Sequence, residues 1–364
     1  MNPPAPLLSV IVPAHQGAGL LPVTLGALTA SEFPRDRWEL IVVDDASADD
    51  TAAVASRWAD RVLTLPGRPH GPGFSRNRGA EQSRGEWLVF IDADVRVHPD
   101  TLSRFAAAIA AEPGMDAVFG AYDKAPPAPG FLSQYRNLLH RYVHLQSAGE
   151  TDTFWAGCGA IRRSAFCAVG GFHEARYPRP QIEDIELGYR LRDQGYRIQI
   201  RPEIQGAHLK RWSVGGSFRT DLLDRGIPWV RLLLERNRLA RPANLNLKRG
   251  EPLKAGLVAT GLLGILFAAM TGRWPVLIGA GVLLAAVVLS NHRLIRWFAQ
   301  QRGVWFAIRV IPLNLCYYLI SGAAVLAGMA LHLLHGRPRV TPPAPAAPRE
   351  AAPDRVGFGS HGPG

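Results

Sequence analysis

The sequence predicts an α/β domain built on a mostly parallel sheet, followed by a C-terminal region of transmembrane helices. Three observations carry this. Short apolar runs alternate with stretches of helical spacing between Leu7 and Gly120, the pattern of strands joined by crossover helices. Two of those runs, Glu39–Asp45 and Glu86–Asp92, break off into carboxylates. Ligands of such sheets bind beyond the carboxyl ends of the strands. Residues 255–272, 274–290 and 310–336 carry no charge, whereas most of the 41 Lys+Arg and 30 Asp+Glu precede residue 255.

The elements follow in order. Leu7–Val12 ends in Pro13 and reads as a buried strand, and Leu20–Ala30 has helical spacing. Glu39–Asp45 is a second strand; Ser47 is placed to cap the next helix, with Asp49 and Asp50 in its first turn, where the dipole favours anions. Val62–Leu65 is a third strand, Pro72–Arg84 a helix, Glu86–Asp92 a fourth strand, Thr101–Ala111 a helix and Ala117–Gly120 a fifth strand. Beyond about residue 130 the pattern is irregular: helices over Leu132–Gln146, Ile182–Gln194 and Ser217–Arg238, a short strand at Arg197–Ile200, and a stretch of small and aromatic residues at Thr153–Phe172. The chain divides into a catalytic domain at 1–235, a basic juxtamembrane segment at 236–254, three membrane helices (255–272, 274–290 and 310–334) within 255–336, and a disordered Pro-rich tail at 337–364.

Composition narrows the function. An apolar share of 47% with 20% charged residues excludes a disordered chain. The net charge of +11 is local: residues 201–254 hold twelve Lys/Arg against five Asp/Glu. A basic belt directly before an apolar stretch suits a cytoplasmic membrane surface, not nucleic acid. Three scattered cysteines without a CxxC exclude a disulfide framework and a cysteine zinc site. The N-terminal MNPPAPLLSVIVP lacks the basic region of a signal peptide, so the first domain is expected in the cytoplasm. Neither P-loop, dinucleotide, GxSxG nor HExxH spacing occurs. The apolar stretches hold no acidic residues, which disfavours transport.

The chemistry is expected at Asp92-Ala93-Asp94, where an apolar strand ends. Two carboxylates at i and i+2 can converge on Mg²⁺ or Mn²⁺, which take hard oxygen ligands and keep positions open for a diphosphate. A lone DxD is weak, but it has company. Ser9-Val10-Ile11-Val12-Pro13-Ala14, Val42-Val43-Asp44-Asp45-Ala46-Ser47, Ser75-Arg76-Asn77-Arg78-Gly79, Gly170-Gly171-Phe172 and Glu183-Asp184-Ile185-Glu186-Leu187 accompany it in order. With these motifs the chain resembles the family 2 glycosyltransferases, inverting enzymes of the GT-A fold, over roughly residues 7–235.

The resemblance implies roles. Pro13, Ala14, Asp44, Asp45, Arg76, Asp92 and Arg211 would bind the nucleotide-sugar, Asp45 by accepting from the imide of uracil and Arg76 near the diphosphate. Asp92 and Asp94 would hold the divalent cation, Asp94 directly. Asp184 would be the general base that takes the proton of the attacking acceptor hydroxyl, and Glu183 would orient the acceptor. His208-Leu209-Lys210-Arg211-Trp212 is similar to the Q-x-x-R-W signature of membrane-bound relatives, with His208 in place of Gln and hence a candidate third metal contact. Trp212 would stack on the acceptor. The expected protein is therefore a multi-pass inner-membrane enzyme with a cytoplasmic catalytic domain. It would move sugar from a nucleotide-diphosphate donor, UDP-sugar by preference, to a lipid-linked or membrane-proximal glycan acceptor. The alternatives are a processive polysaccharide synthase, disfavoured by the incomplete Q-x-x-R-W and the few spans, and an inactive membrane scaffold. Three spans would put the C-terminal tail outside.

Overall fold

The computed structural model describes residues 5–237 and 250–336. In chain order the elements are β1 (Leu8–Ala14), α1 (Leu21–Thr29), β2 (Trp38–Asp44), α2 (Thr51–Ala55), β3 (Arg61–Thr64), α3 (Pro72–Gln82), β4 (Trp87–Ile91), β5 (Val95–Val97), α4 (Thr101–Ala111), β6 (Ala117–Tyr122) and α5 (Phe131–Leu145). Then come β7 (Gly149–Thr151), β8 (Cys158–Arg162), α6 (Arg163–Ala168), α7 (Glu183–Asp193), β9 (Ile198–His208), α8 (Val214–Arg219), a π-helical stretch Thr220–Gly226, and α9 (Ile227–Glu235). The C-terminal helices are α10 (Glu251–Thr271), α11 (Trp274–Ser290), α12 (His292–Arg302) and α13 (Val304–His335).

One sheet runs β3-β2-β1-β4-β8-β6-β9-β5, with β7 added on β9. Its first four strands are parallel, as the alternation of strands and helices requires. Beyond β4 the sheet is mixed: β8 is antiparallel to both β4 and β6, β9 is parallel to β6, and β5 and β7 are antiparallel to β9. The expectation of a mostly parallel sheet therefore holds for one half. β5, β7 and β8 are three to five residues long and draw their stability from distant partners, so they leave little periodicity. The central strands are buried throughout, as in Leu40–Val43 and Trp87–Ile91, which is why they read as continuous apolar runs.

The order has a functional consequence. Because β8 runs against both β4 and β6, all of β1, β2, β4, β6 and β9 end at one edge of the sheet. Ala14, Asp44, Asp92 and His208 thus arrive at that edge from four separate strands. Val95, at the start of β5, pairs with His208, so the Asp92–Asp94 turn is tied to the end of β9.

Several local expectations change. Ser47 does not cap α2; its Oγ accepts from the Gln16 amide (2.9 Å), while Asp49 accepts from the Ala18 amide and Thr51 from the Gly17 amide. The loop after β1 has unpaired amides, and the loop after β2 supplies their acceptors. The helix expected over Ser217–Arg238 is α8, the π stretch and α9 in succession. Pro228 has no N–H to donate, and a Cβ at Gly226 would meet Asp221 O at 2.5 Å and the Ala324 side chain of α13 at 2.6 Å. The register is lost where the chain is pressed between these neighbours.

At the C-terminal end, α10 and α11 form an antiparallel hairpin, and α12 leaves it at 62°. α10 and α13 are long and apolar enough to cross a membrane. The third expected span, 310–334, is the larger part of α13; this helix starts at Val304 and runs through Pro312, so the chain breaks at Gly303 instead. The disordered tail expected at 337–364 and most of the basic segment fall outside the described residues.

α7 reaches its place because Gly188 lies against backbone: a Cβ there would sit 2.4 Å from Phe154 N. Gly188→Ala is expected to destabilise by about 1–3 kcal/mol through overpacking, measured by chemical denaturation in detergent. Gly19→Ala, with nothing within 4 Å of its Cβ, is the neutral control.

Candidate functional site

Arg76, on the second turn of α3, is the hub of the carboxylate edge. It is 4% exposed. Its Nη2 donates to Asp92 Oδ1 (2.6 Å) and its Nη1 to Glu183 Oε1 (3.0 Å), and the guanidinium lies 5.4 Å from the Phe172 ring. Burial opposes its charge, but Asp92, Glu183 and Asp184 outweigh that and hold its pKa above the usual value. The DxD turn and the Glu-Asp pair, far apart in sequence, thus share one cation.

The two acidic residues of α7 part company here. Glu183 is 5% exposed, and its other oxygen accepts from the Gln181 amide (2.9 Å). Both of its oxygens are committed, so it anchors Arg76 and does not face an acceptor as expected. Asp184 is only partly buried, and its carboxyl accepts from the amides of Ala156 (3.3 Å) and Ile185 (2.8 Å). Burial first, and then the charge of Glu183, push it up to about 7, with Arg76 and Arg225 pulling the other way. It is a carboxylate poised to exchange a proton near neutral pH.

Asp94 and His208 meet at the far side of the turn, with Asp94 Oδ2 and His208 Nε2 3.4 Å apart. Burial would raise the pKa of Asp94, but the His208 bond and charge, helped by Lys210, hold it below the usual value. The His208 ring stacks on Tyr122 (4.3 Å between centroids, 7° between planes). Its orientation is fixed from behind. Trp212 Nε1–H donates to Asn137 Oδ1 (3.2 Å), and His208 Nδ1 lies 2.7 Å from the same oxygen. Indole N–H is a donor only, so the Asn137 amide cannot flip without setting two donors against each other. Nδ1 therefore carries a hydrogen, and Nε2 faces Asp94.

A divalent cation fits this pair. Oxygen and imidazole donors suit Mn²⁺, and adjacent ligands of an octahedral ion, each ~2.1 Å away, stand about 3 Å apart. Among the described residues no group of three or more His, Cys, Asp or Glu side chains that could hold a metal ion is formed. Asp92, with about a third of its side chain exposed, reaches the same turn but is bonded to Arg76.

The remaining expected residues are placed differently. Pro13 and Ala14 end β1 at the edge, and Ala14 O accepts from the Asp45 amide (2.8 Å). Asp44 Oδ1 accepts from the Ser47 amide in a local turn. Asp45, 4% exposed, takes the amides of His70 (2.9 Å) and Gly71 (2.7 Å). It clasps the loop before α3 and does not offer its carboxylate to a base. Arg211 is exposed. Trp212 is not a free stacking platform: Arg136 and Lys210 lie over its ring at 4.5 and 4.4 Å, and its N–H is used. Sequence reading missed Asn137 and Ser133, four residues apart on α5; Ser133 Oγ accepts from the Trp212 amide (2.9 Å). The one signal was two small polar residues at helical spacing in an amphipathic run.

The mixed sheet, with its carboxylate-lined edge, has a GT-A-like fold. Residues 9–170 match the model of Glycosyl transferase family 2, and over that stretch the chain is similar to this family. It is 26% identical over 241 residues to glycosyltransferase AglE of Haloferax volcanii, covering 62% of this chain and 77% of that protein. It is 33% identical over 105 residues to poly(ribitol-phosphate) beta-N-acetylglucosaminyltransferase TarS of Staphylococcus aureus, covering 28% of this chain but only 18% of TarS. Among solved structures it is similar to mannosyltransferase PcManGT of Pyrobaculum calidifontis in complex with GDP-Man and Mn²⁺. The TM-score is 0.52 at 20% identity, over 90% of this chain and 87% of that one.

Arg76→Met would leave Glu183 and Asp92 without their cation. It is expected to cost about 3–5 kcal/mol, the range for a broken buried pair. Arg35→Met, which removes an exposed partner of Asp60, is expected to cost at most about 1 kcal/mol. Denaturation of the two variants side by side measures the difference.

Proposed function

We propose that this protein is a membrane-anchored, inverting glycosyltransferase that moves a sugar from a nucleoside-diphosphate donor to a lipid-linked or membrane-proximal acceptor. The observation that carries the reading is Asp184: a partly accessible carboxyl raised to about 7, joined through Arg76 to the DxD turn. The donor would lie across the carboxyl edge of β1, β2 and β4. Asp94 and His208 would hold a divalent cation, with Asp92 beside them; when bound, that cation neutralises the departing diphosphate. Arg76 keeps Asp92 and the start of α7 in register beneath the donor. The acceptor hydroxyl attacks the anomeric carbon from the side opposite the diphosphate and inverts that centre. As the new C–O bond forms and the bond to the diphosphate breaks, Asp184 takes the hydroxyl proton. With Asp45 committed to its loop, the preference for uridine loses the residue that was to read it; a panel of UDP- and GDP-sugars tests the base.

The acceptor reading is supported by α5. One face of this helix meets the site through Asn137, and another packs Tyr135 and Leu138 against Leu294, Phe298 and Val310 of the C-terminal helices. The site therefore lies a helix's width from the apolar region. The exposed apolar surface of the α10–α11 hairpin supports the membrane anchor.

Asp184→Asn is expected to retain donor binding and lose ~10²–10⁴-fold in turnover. The base must be ionised, so kcat/KM in the parent should rise with pH through about 7 and fall below it, because the raised pKa keeps Asp184 protonated there. The variant should lack that limb. Wild-type turnover and an unchanged pH profile in Asp184→Asn would remove it from the role.

Trp212→Phe keeps the ring but frees the Asn137 amide to flip; its NH2 would then face Nδ1 and leave the hydrogen of the neutral His208 ring on Nε2, the nitrogen that would hold the metal. Mn²⁺ affinity, read by electron paramagnetic resonance in the presence of UDP, is expected to fall ~10–100-fold. Adding Asn137→Asp should restore it, since a carboxylate accepts from either oxygen. A role for Trp212 in acceptor stacking alone predicts no change in Mn²⁺ affinity.

A further inference from the structure

Hydropathy makes α13 a membrane span, but its contacts run along the catalytic domain from one end to the other. Near its start, Phe306 meets Phe131 of α5 (ring centroids 4.8 Å apart) and Arg309 lies 3.9 Å over the same ring. Ala307 and Val310 are buried with Tyr135 and Leu138. Near its end, Ala324 presses on Gly226, and a Cβ on Gly328 would lie 2.7 Å from the Val230 side chain of α9. At the terminus Arg231 Nη2 reaches Gly336 O (3.4 Å). α9 belongs to the water-soluble part: Arg236 pairs with Asp193, and Glu235 with Arg176. A helix of 32 residues is about 48 Å long. If it crossed a hydrocarbon core ~30 Å thick, one end would have to leave the catalytic domain. Neither does.

The hairpin behaves differently. It meets α13 at its base, where Lys254 and Tyr318 both bond Asn291 (3.3 and 3.0 Å), Ala255 faces Gly322, and Val258 and Val287 pack on Tyr318. Beyond that base Leu263, Leu266, Met270, Trp274 and Ile278 are exposed. Along α13 the face away from the catalytic domain carries exposed apolar residues at helical spacing: Trp305 and Ile308 near the start, then Leu319, Leu326 and Leu333.

We infer that α13 does not cross the bilayer but lies in its surface between the catalytic domain and the lipid, with this face against the acyl boundary, and that the α10–α11 hairpin is what spans. The lipid is the occupant the geometry favours because that face adjoins the apolar hairpin and lies opposite the catalytic domain. The inference rests on the membrane anchoring proposed above. It returns Gly336 to the side of the catalytic domain, whereas three spans would carry it to the other.

The test measures depth along each helix in the full-length protein. Cys316, exposed on α13, supplies one probe site in a Cys167→Ser background. Ile308→Cys, Leu326→Cys and Leu333→Cys supply three more with Cys316→Ser added, and Leu263→Cys, Leu266→Cys and Met270→Cys probe α10. Each protein carries an environment-sensitive fluorophore in phosphatidylcholine/phosphatidylglycerol vesicles with nitroxides at a shallow or a deep acyl position. The four α13 sites are expected to share one shallow depth, ~5–10 Å below the headgroups, while depth changes steadily along α10. A graded depth along α13 of ~1.5 Å per residue, or no quenching there while α10 is quenched, would overturn the inference and leave the anchor standing. No quenching on α10 either would overturn the membrane reading and this inference with it.

Discussion

The buried guanidinium of Arg76 is the interaction on which the site depends. It joins Asp92, at the end of β4, to Glu183, at the start of α7. A cation this deep is tolerated only because two carboxylates face it. Remove it and the two would repel across a poorly hydrated gap, with nothing left to keep the base near the donor edge. The fork of its guanidinium fixes the spacing between Asp92 and Glu183, and so between the DxD turn and the start of α7.

Around that hub the environment separates carboxylates of one chemical kind. Glu183 and Asp45 are consumed by amides and by Arg76, and act as framework. Asp94 is held below its usual pKa because His208 and Lys210 outweigh its burial. Asp184 is raised to about 7 because burial and Glu183 outweigh Arg76. Neighbouring acids driven in opposite directions are what a site needs to hold positive charge at one point and accept a proton at another.

α5 connects this chemistry to the apolar end of the chain. Ser133 and Asn137 fix Trp212 and through it the ring of His208, while Arg136 pairs with Asp221 of the π stretch. Tyr135 and Leu138, on another face of the same helix, pack into α12 and α13. One helix thus carries both the hydrogen bonds that orient His208 and the packing surface for the C-terminal helices.

Much was legible in the sequence because it was local. Continuous apolar runs marked β1, β2 and β4, since strands buried on both faces have no polar side to show, and the Asp pairs that end them reached the predicted edge. The order of the motifs carried the family. What the sequence left open depended on partners far along the chain. Asp45 and Glu183 read like Asp94 and Asp184 until their hydrogen bonds are counted, and Trp212 read as free until Asn137 and the cations over its ring were in place. β5, β7 and β8 are too short to show a period. The helix at 217–238 lost its register to Pro228 and to α13. Composition made α13 apolar enough to cross a membrane, but hydropathy is a sum over residues and holds no direction. Only the contacts at both ends of the helix, with α5 and with α9, decide which way it lies.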